Sequence, residues 1–397
     1  MRNPAENHPP PRRRSAVPGP RTAEMASLDP SSVLPILSIR RKLLLWYRKN
    51  GRDLPWRKTA DPYRIWISEV MLQQTRVETA LPYYRTFLRR FPTVQALAGA
   101  SPDDVLKAWE NLGYYSRARH LHEAARIVAE RFAGRLPENV EELRKLPGVG
   151  GYTAGAIASI AFGKAVPAVD GNARRVLARL FAVTATVDRP AAARQLESLA
   201  ERLVPESAPG AFNQALMDLA SACCTPRKPA CGVCPLRANC RARRDGTAEA
   251  LPRRMKRARI PERQAVSAIV RDRRGRLLVV RRPGKGLLSS LWKLPGGFLR
   301  ERETPEEGLI RTFREETGVE SELLSRAGTV HHSYTHFRLI LHVFTVRIVR
   351  GKPQPLLCRE VRWSTSEELA SLAFSKADRK AMDLDAFPPG LDKSARR

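Results

Sequence analysis

The chain changes its hydrophobic rhythm once. From residue 32 to residue 240, apolar side chains recur at three- and four-residue steps, as in SSVLPILSIRRKLLLWYRKN and SPDDVLKAWENLGYY, with Ser or Asp where a helix would be capped. No run of alternating strands interrupts them, so this stretch predicts an all-α domain. After residue 263 the step becomes two residues. AVSAIV and RLLVV flank the turn RDRRG, HFRLILHVFTVRIV continues the pattern, and one helix, RETPEEGLIRTFREETG, lies between. An α+β domain over 264–388 is therefore expected behind the helical one. Residues 241–263 hold nine basic and three acidic residues without an apolar period and read as a basic linker. Residues 1–31, rich in Pro and Arg, and 389–397 are expected to be disordered.

A chain of 397 residues with 43% hydrophobic content supports two packed cores. No apolar run approaches the ~20 residues of a membrane span, so no membrane partner is expected. Residues 1–31 lack the apolar segment of a secretory signal. Their arginines imitate an organellar transit peptide, but Glu6, Glu24, Asp29 and the prolines argue against one, and Met25 is an alternative start. The net charge of +30 points to a polyanionic partner. The plainer reading is a generally Arg-rich proteome whose surfaces are basic without a purpose.

Four of the six cysteines lie in CTPRKPACGVCPLRANC: Cys224, Cys231, Cys234 and Cys240, spaced C-x6-C-x2-C-x5-C. Without a secretory signal this is a metal cluster rather than a disulfide framework. An iron–sulfur cluster and a tetrahedral zinc both fit the spacing. Cys223 reads as packing. In LPGVGGYTAGAIASIAFG, the turn with Gly148 and Gly150 stands between two helices and presents backbone amides at a helix N-terminus, a phosphate site of helix–hairpin–helix form. Asp170, in VPAVDGNARRVLARL, precedes a new helix and on its own reads as an N-cap. Glu69, in DPYRIWISEVMLQQTRV, sits among Ile65, Trp66, Ile67, Val70, Met71 and Leu72. There it would be partly desolvated, with a raised pKa that suits a general acid; the plainer reading puts it on the solvent face of an amphipathic helix.

Together these residues carry a resemblance. Residues 34–240 resemble the helix–hairpin–helix DNA glycosylases whose cluster loop holds a [4Fe-4S] centre, and SEVMLQQT, VDGN and the cysteine spacing look like the adenine DNA glycosylases among them. The resemblance implies a [4Fe-4S] cluster on the four cysteines, with zinc ranking second and a monovalent cation at the hairpin a candidate further ligand. The cluster would be structural, holding Arg227 and Lys228 against phosphates. The partner implied is double-stranded DNA with adenine mispaired with 8-oxoguanine or guanine. A monomer is expected, in a bacterial cytoplasm with the nucleoid, or in the nucleus or mitochondrion of a eukaryote. Because the adenine must be extruded to be reached, the resemblance assigns Glu69 as proton donor to the base. It assigns Asp170 as stabiliser of the oxocarbenium-like sugar, with Tyr152 and Asn172 lining the site. The related endonuclease III places an attacking lysine where this chain has Tyr152, which implies a monofunctional enzyme using water. Leu54, Arg57, Gln74 and Thr75 match contacts around the opposite base, and Tyr114 matches an aromatic wedge.

The second domain carries a near-complete Nudix pattern, G-x5-E-x7-R-E-U-x-E-E-x-G-U with U a bulky apolar residue. Gly297, Glu303, Arg311, Phe313, Glu315, Glu316, Gly318 and Val319 fit, and Thr312 replaces a glutamate. Tyr334, Thr335 and His336, in HHSYTHFRL, match a recognition loop for 8-oxoguanine that is usually Phe-Ser-His. The fold expected is thus multidomain: an all-α helix–hairpin–helix glycosylase domain with an iron–sulfur loop, then an α+β Nudix-like domain. The leading function is excision of adenine opposite 8-oxoguanine. The rivals are a nucleotide hydrolase or bifunctional enzyme working through Glu303, Glu315 and Glu316, and a non-catalytic lesion-binding protein.

Overall fold

The computed structural model describes residues 30–255, 260–284, 286 and 288–385, so the two disordered tails expected at 1–31 and 389–397 lie almost wholly outside the described residues. The helices in chain order are α1 Pro30–Asn50, α2 Pro62–Leu72, α3 Val77–Arg90, α4 Val94–Ala98, α5 Pro102–Ala108, α6 Ser116–Arg131, α7 Val140–Arg144, α8 Gly151–Ala161, α9 Gly171–Leu180, α10 Pro190–Leu203, α11 Pro209–Ala222, α12 Arg241–Arg244, α13 Pro305–Thr317, α14 Ser366–Ser371 and α15 Lys376–Asp383. The strands are β1 Glu262–Ile269, β2 Leu277–Arg281, β3 Trp292–Lys293, β4 Glu320–Ser333, β5 Arg338–Arg350 and β6 Glu360–Ser364. The basic linker is shorter than its composition suggests: it opens with the helical turn α12 and β1 begins at Glu262. The helix expected over 101–115 stops at Ala108, because Asn111, Gly113 and Tyr114 take positive φ (70°, 76° and 47°), a conformation no right-handed helix admits.

The chain forms two compact units, each assembled from distant segments. One comprises residues 1–52 and 169–253, the other 53–168 and 254–397. In the first, α1 and α9 pack on α11, with Leu43, Leu177, Leu196, Phe212 and Leu219 buried. Arg40 closes the C-terminus of α10 by donating to the carbonyls of Leu203 (2.9 Å), Arg202 (2.9 Å) and Val204 (3.1 Å), groups a helix end leaves without partners.

In the second unit, α2 to α8 share one core around Trp66, Phe87, Trp109 and Ile157, which Leu291 and Ala373 of the later segment complete. The later segment has two small sheets. In one, β5 is central, parallel to β1 and antiparallel to β4; in the other, β2 pairs antiparallel with β3 and β6. Period-two alternation makes β1 two-sided: Ala265 and Ile269 face the core that holds Trp292 and Phe374, while Val266 and Ala268 face the core under Leu309 and Phe313 of α13. Helix α13 has defined ends, a Thr304–Glu307 capping box and Gly318 in the left-handed conformation.

Gly155 on α8 is a point of close backbone approach: a Cβ there would lie 2.1 Å from the Pro167 carbonyl oxygen, whereas one at Gly151 would meet nothing within 4 Å. Gly155→Ala is expected to destabilise the protein by about 2–3 kcal/mol through overpacking, and Gly151→Ala to leave stability unchanged or raise it. Thermal unfolding followed by circular dichroism checks the pair; equal melting temperatures would contradict the packing described.

Candidate active site and cluster loop

Helix α2 starts at Asp61, whose carboxylate accepts the Tyr63 and Arg64 N–H groups, with Pro62 in the first turn. It is buried nearly all round, from Tyr63 to Met71, so Glu69 has no solvent face to occupy and is only 4% exposed. The Tyr152 hydroxyl donates to Glu69 Oε2 at 2.6 Å. Tyr152 belongs to the first turn of α8, just past the hairpin, and Gln73 Nε2 donating to Thr153 Oγ1 at 3.1 Å fixes the end of α2 to the same turn. The hairpin between α7 and α8 turns at Gly148, φ +76°, where a Cβ would also press on His120 at 2.8 Å. Gly150 is the N-cap of α8 and offers no side chain, and a Cβ on Gly150 or Gly151 would meet open space. The first N–H groups of α8 can therefore be approached closely by an anion.

Two further candidates, Gln74 (φ 58°) and Tyr114 (φ 47°), both hold left-handed backbone that side-chain-bearing residues rarely adopt. One buried guanidinium holds both turns. Arg117 donates to the carbonyls of Val70 (3.0 Å), Met71 (2.8 Å) and Gln73 (2.6 Å), and also to Thr75 Oγ1 (3.2 Å) and the Leu112 and Gly113 carbonyls (3.3 and 3.1 Å). Its carbon lies 5.4 Å from the centre of the Tyr114 ring. Burial pulls its pKa down to about 10, still charged at neutral pH. Leu54, expected at the opposite base, is buried in the apolar core, and Arg57 closes the short turn that follows it, its N–H donating to the Leu54 carbonyl at 2.9 Å.

Tyr334, Thr335 and His336 occupy the turn between β4 and β5, closed by the Tyr334 N–H donating to the Phe337 carbonyl at 2.9 Å. The Thr335 and Tyr114 hydroxyls are hydrogen-bonded. Around them is a cavity of about 360 Å3, lined on one side by Asn111 to Ser116 and on the other by His332 to His336. Glu110, just before the first side, is tied to α15 and the residues leading into it: Arg379 Nε and the Phe374 N–H donate to it at 2.8 and 3.1 Å, as does Lys107 at 2.5 Å. Burial raises its pKa, but these donors outweigh burial and hold the carboxyl below its ordinary value.

Asp170 is the N-cap of α9, as its plainer reading has it. Its Oδ1 accepts the N–H groups of Asn172 (2.9 Å) and Ala173 (2.7 Å), and its Oδ2 accepts the Asn172 amide at 2.9 Å. Capping leaves it half-exposed at a helix N-terminus, a setting complementary to negative charge. Arg175 fixes the orientation of that amide by donating to Asn172 Oδ1 at 3.2 Å, which leaves the NH2 for Asp170. It also reaches the Cys224 and Ala220 carbonyls at 2.8 and 3.0 Å. One turn on, buried Arg179 donates to Cys224 Sγ at 3.3 Å and to the carbonyls of Thr225 (2.7 Å), Pro226 (3.1 Å) and Leu251 (2.8 Å). A single helix thus carries Asp170 at one end and holds the cysteine loop with its flank. Glu69 and Asp170 belong to different compact units.

The four cysteines are free and half-buried, and Cys240 feels the charges of Cys224 and Cys231. Burial pushes the Cys234 thiol up to about 12, so stable thiolates need a cation among them. Four sulfur donors in one loop are a set that an iron–sulfur cluster takes. Arg227 and Lys228 are exposed beside it.

Comparison with known proteins agrees with this arrangement. Residues 67–205 match the HhH-GPD superfamily of base excision DNA repair proteins, residues 224–240 the iron–sulfur binding domain of endonuclease III, and residues 266–384 the NUDIX domain. The adenine DNA glycosylase of Homo sapiens is 36% identical over 404 residues, covering 88% of this chain and 74% of its own. The chain belongs to the adenine DNA glycosylase family. The enzyme of that name from Mycolicibacterium smegmatis is 42% identical over 61% of this chain and 79% of its own. A solved thermostable thymine-DNA glycosylase, 32% identical with a TM-score of 0.50, aligns over 54% of this chain and 99% of its own. The protein is accordingly a DNA glycosylase of base excision repair that binds double-stranded DNA and carries a [4Fe-4S] cluster on the cysteine loop. As a glycosylase it flips its target base rather than reading it in the stack. Cys224, Cys231, Cys234 and Cys240 would hold the cluster, which would supply a rigid cross-link for the loop, and Arg179 donates to the sulfur of the first of them.

Reading the sequence missed the three buried arginines that organise these parts: Arg117, Arg175 and Arg179. The net charge draws attention to exposed basic residues, whereas these three guanidiniums are buried. For Arg175 and Arg179 the available signal was their position, four residues apart in α9 and beside the apolar arc of Val176 and Leu180.

Proposed function

We propose that this glycosylase hydrolyses the N-glycosidic bond of adenine mispaired with 8-oxoguanine or guanine, using water and acting as a monomer in the cytoplasm with the nucleoid. The observation that carries the reading is the buried Glu69 carboxyl hydrogen-bonded to Tyr152. A carboxyl there can protonate the departing base, which adenine needs because its anion leaves poorly. Asp170 is assigned stabilisation of the oxocarbenium-like sugar, and Asn172 the positioning of Asp170 and of water. Tyr152 rather than an amine follows the hairpin, so no Schiff base forms there. Gln74, Thr75, Arg57 and the Tyr114 wedge are assigned to the strand opposite the adenine, with Tyr334, Thr335 and His336 reading the lesion. Adenine is the base for which the human and mycobacterial relatives are named.

The test is a duplex assay with adenine opposite 8-oxoguanine, opposite guanine and opposite thymine, with strand scission after alkali. Release is expected for the first two and not for the third, and no strand break without alkali. Adenine left in place opposite 8-oxoguanine at stoichiometric enzyme would reject the proposal.

A further inference from the structure

The Nudix-like helix and the turn before it keep Glu303, Glu315 and Glu316, the carboxylates that would hold a divalent ion in a hydrolase, and the chain has already neutralised each. Arg311 donates to Glu303 through Nε and Nη2 at 2.5 and 2.6 Å, and to Glu315 through Nη1 at 2.9 Å. Arg300 reaches the other oxygen of Glu315 at 2.9 Å. The Arg311 hydrogen bonds hold the Glu303 carboxyl down at about 2.

Glu316 is different, because it is buried, 7% exposed, against an equally buried lysine. Lys293 Nζ lies 2.6 Å from Glu316 Oε2 and 2.5 Å from the Gly296 carbonyl oxygen, while the Gly296 N–H donates back to Glu316 Oε2 at 3.0 Å. Gly296 has φ +137°, and a Cβ there would fall 2.2 Å from the Val266 carbonyl oxygen, so only glycine can turn this carbonyl inward. The remaining position of the Nudix pattern, or box, Thr312, supplies a methyl that packs toward Gly297, 3.1 Å from where a Cβ would stand. A carbonyl and a carboxylate, the oxygen ligands a hard cation takes, therefore converge on one buried point, and an ammonium sits on it.

We propose that Lys293 is the resident cation of this domain. Its ammonium fills the oxygen-lined position between Gly296 and Glu316 that the box would otherwise offer to a divalent metal, and it pins residues 293–297 to α13 without one. A divalent ion would have to enter beside a buried like charge that cannot retreat to water. It would find a threonine where a further carboxylate is needed to complete an all-oxygen shell. The second domain is thus metal-independent, and the nucleotide-hydrolase rival loses its cofactor.

Mn2+ is the probe, counted by the loss of its free electron-paramagnetic signal against the full-length, cluster-loaded protein after chelator dialysis. The parent chain is expected to bind no Mn2+ tighter than roughly millimolar. Lys293→Ala, and Lys293→Met, which keeps the volume without the charge, should each gain one site at least about tenfold tighter. Adding Glu316→Gln should abolish that site. Tight Mn2+ binding by the parent chain that Glu316→Gln removes would overturn the proposal. So would folded Lys293 variants that gain nothing. Should both variants fail to fold, refolding with Mn2+ decides: recovery supports the assignment and no recovery overturns it.

Discussion

Glu69→Gln is expected to retain duplex binding within a few fold and to lose base release by about a thousandfold or more, the scale at which removal of a general acid operates. Glutamine has nearly the shape of glutamate and its amide oxygen can still accept the Tyr152 hydroxyl, so the buried end of α2 keeps its packing. What it cannot do is give up a proton to a departing purine. The measurement is single-turnover release from a duplex with adenine opposite 8-oxoguanine, beside an affinity from a band-shift titration. Tyr152→Phe is the control on the partner: it leaves the carboxyl in place and takes away the phenol that orients it, so release should slow by much less. Full release by Glu69→Gln would remove Glu69 from the role of proton donor and leave Asp170 to carry the reaction alone.

The candidate site residues and the cluster ligands were legible because their chemistry restricts composition. Four cysteines in a short loop, a carboxylate inside an apolar run and a Gly-rich turn between helices are each improbable as plain packing. The architecture that places them was much less legible. Strand β4, ESELLSRAGTVHHS, shows half-buried alternation in the fold but carries almost no bulky apolar residue to announce it, because it borders only part of a core. The helix read through 115 stops at Ala108 because the Arg117 guanidinium stabilises a run of left-handed turns, an effect of a distant side chain that no local propensity contains. Asp170 is an N-cap by geometry, and the role proposed for it at the sugar calls on the same half-exposed carboxylate. Nor does any period in the sequence say that residues 53–168 share a compact unit with 254–397 and not with the helices on either side.

Arg179→Ala should cost the protein its cluster. The side chain is 2% exposed, and its removal takes donors away from the carbonyls of Thr225, Pro226 and Leu251 and from Cys224 Sγ at once. Stranding buried acceptors and opening a cavity of that size is worth about 3–5 kcal/mol, a large share of what a domain has in reserve. The loop is poorly placed to absorb the loss. Between Cys224 and Cys240 its local structure is a short 3-10 turn, Cys231–Val233, and a turn over 235–239, and Leu236 is its main buried apolar side chain. Its order therefore depends on the cluster and on α9, and cluster binding and loop folding rise and fall together. Iron and acid-labile sulfide per chain, with the visible sulfur-to-iron absorption, should drop to a minor fraction of the parent value. Duplex affinity should drop with them, since Arg227 and Lys228 ride on the same loop. Arg179→Lys keeps the charge but replaces a planar fork with a point donor and should fall between. Glu69→Gln, on the other compact unit, should keep its cluster in full. That contrast separates loss of the loop from loss of the chemistry, because both variants would be inactive and only one would be colourless. Arg179→Ala with undiminished iron, sulfide and duplex affinity would mean that the cluster alone orders the loop and that the buried guanidinium only fills space.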